Sequence, residues 1–89
     1  MFRHIKIHAE INERVRFYVA GGRRKKYTGR VRGVQVFLQE HGKDQISREV
    51  FYYVETSGDK RHTTVCEDSL VAVWSEPNRR WENIRHDGR

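Results

Sequence analysis

Apolar and polar residues alternate with a period of two along most of the chain, the spacing of strands whose successive side chains point to opposite faces. The clearest run is Arg14-Val15-Arg16-Phe17-Tyr18-Val19, with Val15, Phe17 and Val19 on one side and Arg14, Arg16 and Tyr18 on the other. The segment 47–56 repeats it, with Val50, Tyr52 and Val54 opposite Glu49, Phe51, Tyr53 and Glu55. Shorter alternations predict an N-terminal edge strand or arm over 3–8, carrying Ile5 and Ile7, and a strand over 61–66 centred on Val65. Val71-Ala72-Val73-Trp74 supplies the last strand.

The long segment from Tyr27 to Glu40 changes phase. Val31 has odd parity, whereas Val34, Val36 and Leu38 have even parity. A regular strand cannot turn both sets inward, so a bulge or bend near Gly33 is predicted. Turns are marked by Gly21-Gly22, which opens a basic loop through Lys26, by His41-Gly42-Lys43-Asp44, and by Ser57-Gly58-Asp59-Lys60. Glu67-Asp68-Ser69-Leu70 predicts one helical turn whose Asp and Ser satisfy free backbone N–H groups. Beyond Pro77 only Trp81 and Ile84 are apolar, three apart, which predicts at most a single helical turn in a loose tail. The expected organisation is one domain over 1–76 and a tail over 77–89.

Short strands, one long bent strand and a one-turn helix before the last strand resemble an SH3-like small barrel, with Tudor-like and KOW-like members the nearer kin. The resemblance runs over residues 12–74 and rests on Val15 and Phe17, Tyr27-Thr28-Gly29-Arg30-Val31, Tyr52-Tyr53-Val54-Glu55-Thr56-Ser57-Gly58-Asp59, Val65 and Asp68-Ser69-Leu70. It implies an all-β, five-stranded barrel and a binding module. Tudor-like domains often read methylated Lys or Arg in an aromatic cage, and KOW-like domains commonly contact RNA.

Charge adds a direction to this picture. The formal net charge is +6, and it is concentrated: Arg14, Arg16, Arg23, Arg24, Lys25, Lys26, Arg30 and Arg32 lie in a stretch that contains no acid. Such a concentration attracts polyanions. The triplets Arg14-Val15-Arg16 and Arg30-Val31-Arg32 each turn a valine inward and two arginines outward, so pairing of their strands gathers four guanidiniums on one face. Like charges so placed repel unless an anion compensates. The compensating group is a phosphate backbone, an acidic protein partner, or Glu49, Glu55 or Glu67 from neighbouring strands. About five neutralised phosphates of duplex correspond to a log–log salt slope near −4.5. The expected function is therefore non-catalytic nucleic-acid binding through a basic hairpin. The alternative is a protein–protein adaptor or inhibitor, of the kind phages and mobile elements encode, docking on an acidic partner.

Other chemistry changes little. Tyr18, Tyr27, Phe51 and Tyr53 fall on the presumed outer parity, as stacking surfaces or a cage, with Tyr18 and Tyr53 the expected exposed pair. His4, His8, His62 and the single Cys66 lack the converging spacing of a zinc site, so no metal or other cofactor is expected. Cys66 reads as a buried small hydrophobe rather than a nucleophile, and Glu67-Asp68 as a turn cap rather than an acid pair. One cysteine allows no internal disulfide, and no apolar run reaches the roughly 18 residues of a membrane span, so the expected location is cytoplasmic.

Overall fold

Six strands run antiparallel to one another in a single sheet. They are β1 (Arg14–Tyr18), β2 (Lys26–Glu40), β3 (Ile46–Thr56), β4 (His62–Cys66), β5 (Leu70–Ser75) and β6 (Arg80–Asn83), in the order β4-β3-β2-β1-β5-β6. A computed structural model describes residues 7–19, 25–58 and 60–85. The chain is all-β, and its one helical element among these residues is a 3₁₀ turn at Glu67–Ser69. Cys66 occupies the N-cap of that turn without a side-chain capping bond.

The expected five-stranded barrel is not formed. Among the described residues the sheet has six strands and does not close, leaving β4 and β6 as its edges. With no helical layer to pack against, it buries its apolar face by curling over on itself. Val15 and Phe17 of β1, Val31 of β2, Val50, Tyr52 and Val54 of β3, Val65 of β4 and Leu70 of β5 form one core. The segment before β1 closes over this core. Ala9 is buried, Ile7 packs beside it, and the His8 N–H donates to the Tyr52 hydroxyl at 2.9 Å. Burial pushes the Tyr52 phenol above its usual pKa. Residues 7–10 form a strap with no strand pairing, and residues 3–6 of the expected edge strand or arm, Ile5 among them, lie outside the described residues.

Curling requires the bend predicted in β2. Val31 pairs with Val54 but Gly33 pairs with Tyr53, which leaves Arg32 as the extra residue of a bulge. The bulge changes the inward parity, so that Val34 and Val36 pack on the same core as Val31. Close approach of β3 explains the glycine at 29. A Cβ there would sit 2.5 Å from Val54 Cγ1 and 2.6 Å from the Glu55 carbonyl oxygen.

Two apolar residues expected inside are exposed. Val19 follows the last paired residue of β1, Tyr18, and no layer of the described residues covers it. Leu38 lies in the outer half of the β2–β3 hairpin, which extends past the core and leaves Ile46 70% exposed. This hairpin makes the molecule elongated, 45 × 31 × 24 Å.

The expected loose tail is corrected by β6. Arg80–Asn83 pairs with β5 through Ser75↔Arg80, Trp74↔Trp81, Val73↔Glu82 and Ala72↔Asn83. The turn at 76–79 contains Pro77, and Arg79 takes φ 51°. Past the strand, the Ile84 N–H donates to the Val71 carbonyl at 2.9 Å and the Ile84 side chain packs on the core. Ordered structure therefore continues beyond the expected boundary at residue 76.

Candidate nucleic-acid interface

The basic face is assembled by register. In antiparallel strands, directly paired residues share a face. The pairs Arg14↔Arg30, Arg16↔Thr28 and Tyr18↔Lys26 place Arg14, Arg16, Arg30, Tyr18 and Lys26 together on the outer side of β1 and β2. Neighbouring strands extend the rows. One row crosses the sheet as Trp81 of β6, Trp74 of β5, Arg14 of β1, Arg30 of β2 and Glu55 of β3. The next runs Asn83, Ala72, Arg16 and Thr28.

Each arginine has a distinct environment. Arg32, on the bulge, donates from Nε to Glu55 Oε1 at 2.9 Å and from Nη1 to Asn12 Oδ1 at 2.9 Å. The hydrogen bond and positive charge of Arg32 hold the Glu55 carboxyl below its ordinary pKa. Arg30 Nη1 donates to the Asn12 backbone carbonyl at 2.7 Å, a contact that positions the guanidinium without neutralising it. Asn12 can serve both arginines because it turns the chain at φ 79°, a conformation asparagine tolerates. Its own N–H donates to the Val31 carbonyl at 2.8 Å, tying it to the bulge.

Arg14 and Arg16 have aromatic neighbours. The Arg16 guanidinium lies 4.3 Å from the Trp81 ring centroid, and Arg14 lies 5.7 Å from Trp74 and 5.9 Å from Trp81. The two indoles meet edge to face, 5.6 Å between centroids at 70°. Among the described residues, no carboxylate is within ion-pair distance of Arg14, Arg16 or Arg30. Glu67, one of the three candidate neutralisers, instead pairs with Arg48 at 2.8 Å and with His8 at 3.5 Å, while Glu49 is exposed. Among the described residues, Glu55 is the one of the three that pairs on the basic face, with Arg32, while Glu13, Glu76 and Glu82 line a depression beside Arg14 and Arg30 outside ion-pair distance.

An open depression of about 250 Å³ borders the row on its β3 side. Arg14, Arg30, Arg32 and Lys60 line it together with Glu55 and the turn at Ser57 and Gly58. Its cations are arranged around a space large enough for a phosphate group.

The remaining candidates divide. Lys25 sits over the Tyr27 ring at 5.2 Å, and Tyr27 stacks on Phe17 at 6.2 Å. Paired with Phe17, Tyr27 belongs to the inner side at the end of the sheet, not to the outer parity assigned from the sequence. Arg23 and Arg24 lie outside the described residues, as do Gly21, Gly22 and His4. Tyr53 is 39% exposed, and its hydroxyl donates to Gln35 Oε1. Tyr18 and Tyr53 do not form a cage. Their β2 partners, Lys26 and Gly33, are separated by seven residues, about 23 Å of strand. Phe51 instead meets Phe37 edge to face at 5.7 Å. Cys66 is exposed rather than buried, because it faces outward on the edge strand β4. Among the described residues, no cluster of His, Cys, Asp or Glu is placed to hold a metal ion, and no helix is long and apolar enough to cross a membrane.

Three residues of the face, Asn12, Trp74 and Trp81, are not identified by the sequence reading. The signal for the tryptophans is the turn at Pro77-Asn78 between them, which read as a hairpin would have paired them. Asn12 carried only the generic mark of a turn residue. No protein-family model, curated protein or solved structure matches the chain.

Proposed function

We propose that the chain is a non-catalytic, SH3-like module that binds nucleic acid by gripping phosphates with Arg14, Arg16, Arg30 and Lys26. The carrying observation is the direct opposition of Arg14 and Arg30 on paired strands, with no carboxylate partner for either among the described residues. Like charges opposite one another on a sheet are destabilising. Bound phosphate relieves that repulsion, and the fixed guanidinium of Arg30 has little orientation to lose on binding. The SH3-like reading is supported by the long bent β2 and by the 3₁₀ turn ahead of β5.

The test measures binding of labelled duplex and single-stranded DNA and RNA at two salt concentrations, with the natural chain and with Arg14→Glu/Arg30→Glu. Binding at low salt is expected, and each lost phosphate contact reduces the salt slope by about 1. No binding at low salt, or an affinity indifferent to the double reversal, overturns the reading. Recovery of one acidic protein from nuclease-treated extract, in the absence of nucleic-acid binding, replaces it with the adaptor reading.

A further inference from the structure

The row that crosses the sheet is cationic at β1 and β2 and aromatic at β5 and β6. Arg30, Arg14, Trp74 and Trp81 span three strand intervals, about 14 Å. From this juxtaposition we propose that the face selects single-stranded nucleic acid, stacking an unpaired base on Trp81 while Arg14 and Arg30 hold the adjoining phosphates. The proposal rests on the nucleic-acid reading above and specifies its substrate class.

Single-strand binders combine a cationic track with aromatic platforms, because every base has a π face and each unpaired base can turn it outward. A duplex keeps its bases stacked inside and offers this sheet only phosphate. The Trp81 ring already carries a flat cation, the Arg16 guanidinium, 4.3 Å from its centroid. Both tryptophans are half-buried, so the indoles are fixed yet partly open to solvent. Their edge-to-face contact and the β5–β6 pairing hold Trp81 in place before any ligand arrives. On binding, the Arg16 guanidinium moves from the ring to a phosphate and a base takes its position. One arginine thereby exchanges a cation–π contact for a charge-assisted hydrogen bond, and the indole keeps a stacked partner.

The experiment uses a natural reporter, since the chain has two tryptophans and both lie in this row. Intrinsic fluorescence is titrated with 12-nucleotide oligothymidylate and oligouridylate, with a duplex of equal charge, and with inorganic polyphosphate, while anisotropy follows binding of labelled strands. Both single strands are expected to quench emission, whereas duplex and polyphosphate bind without quenching. Trp81→Leu weakens single-strand binding roughly 5- to 150-fold, the loss of one stacked base, and weakens it more than it weakens duplex binding. Arg16→Ala weakens binding yet keeps quenching at saturation, because the ring is uncovered rather than removed. Single-strand binding without quenching, or equal affinity for duplex and single strands, overturns the inference while leaving the phosphate-binding reading intact. No binding by any nucleic acid overturns both. The quenching measurement uses the unaltered chain, so the outcome does not depend on the folding of a variant.

Discussion

Glu55→Gln should strengthen nucleic-acid binding, and by a calculable amount. Glu55 is the one carboxylate paired with the basic face among the described residues, and its partner is Arg32. The substitution removes the negative charge while Arg32 keeps its second anchor, the hydrogen bond to Asn12 Oδ1 at 2.9 Å. The guanidinium therefore stays beside the depression it lines with Arg14 and Arg30, now without a counter-charge. Arg14, Arg16, Arg30 and Lys26 already stand ready for phosphate, so available cations on the face rise from four to five. For a single strand each neutralised phosphate contributes about −0.7 to the log–log salt slope, so the slope moves from about −2.8 to about −3.5. Between 50 and 200 mM salt the natural chain then loses about 50-fold in affinity and the variant about 130-fold. Cations outside the described residues add equally to both proteins, and the difference of about 0.7 remains the diagnostic. Anisotropy titrations at four salt concentrations measure it. An unchanged slope together with tighter binding would refute the idea that Arg32 is released to phosphate, as would binding weaker than that of the natural chain at low salt.

Two further outcomes concern the fold. Gly29→Ala should destabilise by roughly 1–3 kcal/mol, because the new Cβ meets the Glu55 carbonyl at 2.6 Å as well as the Val54 side chain. A melting temperature equal to that of the natural chain would show that β3 moves aside freely. The Arg32–Glu55 ion pair predicts a pH effect whose sign follows from the lowered carboxyl pKa. Its contribution is complete above the ordinary value of 4.5 and is lost as pH falls through the lower folded value. The difference in melting temperature between the natural chain and Glu55→Gln should therefore shrink as pH is lowered from 6 to 3, and a constant difference would exclude the mechanism.

Elements governed by local alternation were legible in the sequence, and those governed by cross-strand pairing were not. Val50, Tyr52 and Val54 showed their inward face because three apolar residues at period two have one consistent burial pattern. The conflict between Val31 and Val34 located the bulge to within one residue, since only an added residue reconciles the parities. The limits of that reasoning show at Val19 and Leu38, which continue an inward parity past the places where a covering layer ends. Strand β6 gave no periodic signal: Arg80, Glu82 and Asn83 are exposed, and the strand is held by backbone pairing and by Trp81 against Trp74. The arginines themselves were visible, but their neighbours were not. Arg16 reaches Trp81 across β5, and that adjacency depends on two registers that composition does not encode.

The bulge at Arg32 has a genetic corollary. A substitution there alters the side chain and leaves the residue count of β2 intact, so the curvature of the sheet survives. Deleting the same codon restores an uninterrupted pleat in which Val31 still opposes Val54 and Gly33 still opposes Tyr53, so every position from Gly33 onward keeps its face. Val34 and Val36 stay on the core, and what is lost is the extra twist of the bulge together with the Arg32 contacts to Glu55 and Asn12. Point and length variants at one site thus act on different properties, the first on the charge of the face and the second on the curvature of the sheet.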